Sequence, residues 1–140
     1  INSDLINILL SNNYLPIIAC LSTDGNGQVF NINADTLATE IALKLKVDKL
    51  IFVTDVEGIF ENGKSNLIKK LTINKVNELI KKGIITKGMI PKVENITNAI
   101  TGGIKKILIV GGLDTEMKWI ETIKNSSYGT VIVPNYKFIK

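Results

Sequence analysis

The chain has 140 residues, 45% hydrophobic and 21% charged, with one Cys, no His and a formal charge of +4. That length suits one domain with a real core and is too short for two. No apolar run approaches the roughly 18 residues of a membrane span, so neither a transmembrane protein nor a membrane partner is expected.

In chain order, residues 3–11 carry helical spacing and residues 15–20 (Leu-Pro-Ile-Ile-Ala-Cys) read as a buried strand. Asp24-Gly25-Asn26-Gly27 is a turn between extended segments, with Gln28-Val29-Phe30 after it. From 34 to about 46, Leu37, Ala38, Ile41, Ala42 and Leu45 fall on one helical face. Residues 49–53 (Lys-Leu-Ile-Phe-Val) form a short apolar run, the pattern of a strand buried on both faces. Thr72 can cap a helix that Gly83 stops, and Pro91 can open another that runs to Gly102-Gly103. Residues 106–110 are a further buried strand, ended by Gly111-Gly112; a helix over about 114–124 and a strand over 130–133 complete the pass. Alternating helices and apolar strands predict an α/β fold with a largely parallel sheet. Such sheets bind ligands at the carboxyl ends of their strands, here Thr54-Asp55-Val56-Glu57-Gly58 and Gly111-Gly112. Glycines that merely turn the chain explain both clusters as well.

The chemistry is narrowed by what is missing. Without His, the serines have no imidazole to activate them, and most zinc-site designs are excluded. The lone Cys20 sits in an apolar run, forbids an internal disulfide and fits a reducing compartment. All 17 basic residues are Lys, scattered along the chain, with few aromatics and no guanidinium to read guanine edges, so no nucleic-acid partner is expected. Neither a Walker sequence nor a dinucleotide fingerprint occurs.

Two constellations remain. In Asn31-Ile32-Asn33-Ala34-Asp35, positions 31, 33 and 35 of an extended segment share one face and can hold a polar ligand beside a cation. Asn33 or Asp35 could equally be a helix cap. In Lys87-Gly88-Met89-Ile90-Pro91-Lys92, a glycine loop runs into a helix start, where free N–H groups favour phosphate. A Lys in that turn is unfavourable for the helix itself and makes sense if it serves an anion; chance placement in a lysine-rich chain is the alternative. A chemistry needing only Lys, Asp, amides and backbone N–H groups is phosphoryl transfer, where positioning and charge neutralisation dominate.

The order of NINAD (31–35), KLIFVTDVEGIF (49–60), GIITKGMIPKVENITNAITGG (83–103), KKILIVGG (105–112) and YGTVIV (128–133) resembles the amino-acid kinase family. The blocks cover nearly the whole chain, and the pairing of NxNAD with GMIxK is specific. The resemblance implies a three-layer αβα sandwich of the amino-acid kinase and carbamate kinase type. It also implies transfer of the ATP γ-phosphate to a carboxylate, in the branch whose acceptor is the side chain of N-acetyl-L-glutamate, a step of arginine biosynthesis. By the same resemblance Lys92 stabilises charge on the transferring phosphoryl group and Asp35 organises the catalytic lysines. Asn31 binds the acceptor, with Asn33 in the same site. Asp55, Val56, Glu57, Gly58, Ile59 and Phe60, together with Ile84, Ile85 and Thr86, match segments that contact ATP. Magnesium would travel with ATP, with no metal ligands expected from the chain.

Family members carry a catalytic Lys, glycine-rich loops and a substrate-binding Arg ahead of the region matched here. The resemblance therefore casts residues 1–140 as the carboxy-terminal, nucleotide-binding part, with the amino-terminal substrate half absent and no turnover by this polypeptide alone. A chain start of Ile-Asn-Ser-Asp-Leu, without Met or a signal-peptide pattern, agrees with this. Homo-oligomers of the family form through the absent half. The alternatives are a relative acting on carrier-bound aminoadipate or glutamate, and a non-catalytic regulatory domain of the same fold. Heavy use of Lys, Ile and Asn points to an AT-rich genome, hence bacterial cytoplasm or a plastid stroma.

Overall fold

Capping residues and apolar spacing account for most of the element boundaries. In a computed structural model, which describes residues 1–61, 65–85 and 89–135, α1 spans Ser3–Ser11 and begins on Asn2, whose Oδ1 accepts from the Asp4 and Leu5 amides. β1 (Leu21–Thr23) and β2 (Val29–Asn31) form an antiparallel hairpin. At its turn the Asp24 carboxylate accepts from the Asn26 and Gln28 amides. The helical face read from Leu37 onward becomes α2 (Ala34–Leu45), followed by β3 (Lys49–Val53). β4 (Lys70–Thr72) leads directly into α3 (Ile73–Lys81), because the Thr72 hydroxyl that caps the helix also ends the strand. α4 (Ile90–Thr101) carries Pro91 in its first turn, where a missing N–H costs nothing. β5 (Lys106–Val110), α5 (Glu116–Asn125, capped by Thr115) and β6 (Thr130–Val133) complete the order.

Four strands form one sheet in the order β3-β5-β6-β4. β3 pairs parallel with β5 and β4 parallel with β6, while β5 and β6 run antiparallel. The side-chain period of two sorts the layers. Leu50, Phe52, Ile107, Ile109 and Ile132 join the main core with Val93, Ile96 and Ala99 of α4 and Val76 and Leu79 of α3. Apart from Ala99, each such side chain contributes about 1.5–3 kcal/mol on burial. Leu108 and Val110 are buried on the opposite face. Lys49 points to that same side and donates to the Ile123 carbonyl of α5, which fixes the third layer. The expected αβα sandwich is therefore present, with α2, α3 and α4 on one face and α5 on the other.

One expected element is absent. Residues 15–20 are not a buried strand: Leu15 is 85% and Ile17 94% exposed. An apolar run becomes a strand only where a neighbour completes its hydrogen-bond ladder. Among the described residues, none pairs with this segment beyond the Ile32 N–H to the Cys20 carbonyl. The segment instead flanks the outer edge of β3, which no described strand pairs, across a cleft of about 680 Å³, lined by Pro16, Ile18, Cys20, Leu37, Ile41 and Ile51. No described helix is long and apolar enough to cross a membrane.

Candidate active site

Parallel pairing of β3 and β5 places Val53 opposite Val110, so both strands end at the same edge of the sheet. The Thr54 amide donates to the Val110 carbonyl (2.9 Å), and the chain after β3 then crosses over Gly111. A Cβ at Gly111 would lie 2.5 Å from the Thr54 carbonyl oxygen and would also overlap the Val56 carbonyl. Glycine here is a packing requirement that lets residues 54–56 lie against the end of β5. Gly111→Ala is expected to cost about 1–3 kcal/mol, the range of overpacked sites, measurable as a drop in the urea midpoint. An unchanged midpoint would show that the two loops are not in contact.

The ion pair of the site joins elements distant in sequence. Lys92 lies in the first turn of α4 and Asp35 in the first turn of α2, and the Lys92 Nζ stands 2.6 Å from Asp35 Oδ2. The ammonium also lies 5.0 Å from the centroid of the Phe52 ring, which rises from β3 and is buried. Asp35 is well placed for its own helix dipole, whereas Lys92 is badly placed for its own. The carboxylate and the ring face hold the lysine there at that cost. Their side chains are 17% (Lys92) and 30% (Asp35) exposed, so the pair is sheltered yet reachable. An ammonium has three N–H donors, and Asp35 takes one. Both residues singled out as catalytic in the sequence are thus brought together, with Phe52 beneath them. No sequence pattern marks Phe52, which reads as one more apolar residue of a strand.

Asn33 is the cap of α2: its Oδ1 accepts from the Thr36 amide at 3.0 Å and from the Thr36 hydroxyl at 3.3 Å. Helix α2 starts at Ala34, so the alternation expected for positions 31, 33 and 35 ends at the cap, and Asp35 is displayed by helical geometry instead. Asn31 closes β2, opposite Leu21, with its side chain exposed.

Of the residues expected near nucleotide, Asp55 accepts from the Thr54 hydroxyl (3.0 Å), Val56 is half-buried and Glu57 is exposed beside Gly112. Gly58 and Ile59 are buried, and Phe60 forms an antiparallel bridge with Leu67. Ile84 and Ile85 follow α3, their amides both donating to the Leu79 carbonyl. The Ile85 side chain belongs to the core, which leaves only its backbone to meet a ligand. Thr86 lies outside the described residues.

A second lysine stands at the same strand end. Lys118 pairs with Asp114 at 2.7 Å, donates to the Gly112 carbonyl at 3.3 Å and lies 5.9 Å from the Tyr128 ring centroid. Its hydrogen bond to Asp114 raises the lysine pKa and lowers that of the carboxyl. Among the described residues, no three of His, Cys, Asp and Glu converge as a metal site would need.

The model of the amino acid kinase family matches residues 1–111. An acetylglutamate kinase from Aquifex aeolicus is 41% identical over 132 residues, covering 94% of this chain and 44% of that protein. The crystal structure of smu.665 from Streptococcus mutans superposes with a TM-score of 0.76 at 38% identity, over 96% of this chain and 49% of that one. Carbamate kinase from Giardia lamblia bound to AMP-PNP shares the fold, with a TM-score of 0.71 at 22% identity over 96% of this chain and 45% of that one. The chain spans about half the length of the relatives it matches.

Proposed function

The chain belongs to the amino acid kinase family, and from that premise we propose that it supplies the nucleotide-binding part of an enzyme that transfers the ATP γ-phosphate to the side-chain carboxylate of N-acetyl-L-glutamate. The P–O bond to ADP breaks and a carboxylate oxygen takes the phosphoryl group, giving an acyl phosphate. A carboxylate is already ionised at neutral pH, so the acceptor needs no general base and a His-free chain can do this chemistry. The difficulty is the meeting of two anions, which fixed cations and dipoles relieve.

The observation that carries the reading is the Lys92–Asp35 pair between two helix starts. Asp35 holds the ammonium in one direction while its remaining N–H groups face the transferring phosphoryl. Asn33 keeps the first turn of α2, and with it Asp35, in place. Residues 55–60 and 84–86 take the nucleotide, and Asn31 the acetylglutamate. Magnesium carried with ATP would supply positive charge to the phosphates; Asp35 is committed to Lys92, and the chain's role is to place cations and amides around that charge. The acetylglutamate kinase from Aquifex aeolicus and its likeness over 94% of this chain support the choice of acceptor. Its greater length supports the expectation that these 140 residues do not turn over by themselves.

Steady-state kinetics of the full gene product test the assignment. Asn31→Ala is expected to raise the KM for N-acetylglutamate by about tenfold, the scale of one lost hydrogen bond to a charged group, and to leave the KM for ATP unchanged. A change confined to ATP would remove Asn31 from the acceptor site.

A further inference from the structure

Thr130, the first residue of β6, is completely buried, and its hydroxyl is used twice. It accepts from the Ile59 N–H at 2.8 Å and donates to the Ile68 carbonyl at 2.7 Å. Ile59 and Ile68 are themselves joined, the Ile68 N–H donating to the Ile59 carbonyl at 2.8 Å, and the Phe60–Leu67 bridge follows. The hydroxyl therefore closes the neck of a narrow excursion of the chain, at the point where residues 55–60 enter it. Gly58 is pressed into the same neck: a Cβ there would lie 2.7 Å from the Thr130 Oγ1 and 2.8 Å from a Leu67 methyl. No other tie of this kind from the sheet to residues 55–60 is seen among the described residues. A hydroxyl can accept from an amide and donate to a carbonyl at one atom. Valine has the same shape and can do neither, so it would leave the Ile59 N–H without its partner in the interior.

We propose that Thr130 is a positioning residue for nucleotide binding, clamping the backbone of residues 55–60 in the conformation that receives ATP. The inference rests on the assignment of residues 55–60 to the nucleotide made above. Thr130 is completely buried, so it acts through Ile59 and Gly58. A purely structural threonine would change stability and leave the ligand affinity of the folded protein alone, and the test separates these roles.

In the full gene product, the affinity for a non-hydrolysable ATP analogue is measured by calorimetry for the wild type, Thr130→Val and Thr130→Ser, with the KM for N-acetylglutamate followed in parallel. Thr130→Val is expected to weaken the analogue roughly tenfold, and Thr130→Ser, which keeps both hydrogen bonds, to restore it to within about threefold. The acceptor KM stays unchanged in both. A folded Thr130→Val protein with wild-type affinity overturns the proposal. Should Thr130→Val not fold, hydrogen exchange of the nucleotide-free wild type decides: the Ile59 amide is expected to be protected, and exchange at the rate of an exposed amide overturns the clamp. The underlying assignment is checked separately by amide shifts of residues 56–60 when the analogue is added to wild type. Absence of shifts overturns that assignment and the proposal with it, whereas shifts combined with an unaffected Thr130→Val overturn the proposal alone.

Discussion

Replacing Lys92 by alanine is expected to lower turnover of the full gene product by roughly 10²–10³-fold. The scale is that of losing a principal electrostatic stabiliser of the transition state, about 3–4 kcal/mol. The KM values should move much less, because the ammonium is most valuable once charge has spread over the transferring phosphoryl oxygens. Folding should survive the change. The pair is sheltered but partly open to water, so Asp35 can be hydrated when its partner is removed, and the stability lost falls between an exposed and a buried pair, about 1–3 kcal/mol. A Lys92→Ala enzyme with wild-type turnover would take Lys92 out of the mechanism. Reduced turnover accompanied by a collapse in stability would make the pair a structural clamp instead.

Gly129→Ala is expected to be the most damaging single-methyl change for the fold. Gly129 has φ +80°, and a Cβ there would overlap the Ile109 carbonyl oxygen and lie 2.9 Å from the Val110 Cβ. The left-handed backbone costs a non-glycine residue about 1–2 kcal/mol, and forcing two strands apart adds about 1–3 kcal/mol. The sum is a sizeable share of the roughly 5–15 kcal/mol by which a domain is stable. Gly83 provides the comparison, since its φ is +70° with open space where a Cβ would stand. Gly83→Ala should therefore show only the backbone part, about 1–2 kcal/mol. Equal losses at the two positions, in chemical denaturation, would mean that the close approach of the β6 entry to β5 contributes nothing.

The helices were legible in the sequence because their signals are local. Asn2, Asn33, Thr72 and Thr115 each accept from amides two or three residues on, and Pro91 marks the start of α4 within a residue. The strands at 49–53, 106–110 and 130–133 were legible from their apolar runs, but only the reading of 106–110 as buried on both faces holds: β5 is covered on both sides, whereas β3 buries Leu50 and Phe52 on one face and leaves Val53 52% exposed on the other. What failed was long-range. Residues 15–20 carry the same apolar signature, and only the absence of a ladder partner among the described residues keeps them from being a strand. The antiparallel pairing of β5 with β6 and the short strand β4 depend on contacts that no local pattern encodes. The Lys92–Asp35 ion pair joins two residues that their motifs had singled out, and Asn33 fills the capping role its residue type allowed. Phe52, which lies under Lys92, and Thr130, which bonds Ile59 and Ile68, were not singled out, since a Phe and a Thr inside strand patterns are indistinguishable from ordinary strand residues until the chain is folded.

Trapping the product with hydroxylamine shows whether the enzyme makes an acyl phosphate and on which acceptor. The full gene product is incubated with ATP, magnesium and hydroxylamine, and hydroxamate is measured with N-acetylglutamate, glutamate, aspartate and aminoadipate derivatives in parallel. Formation that depends on ATP and occurs with N-acetylglutamate alone is the predicted result. Formation with a different carboxylate would retain the lysine–aspartate chemistry and contradict the acceptor. No hydroxamate with any of them, from a protein that still binds ATP, would contradict the account.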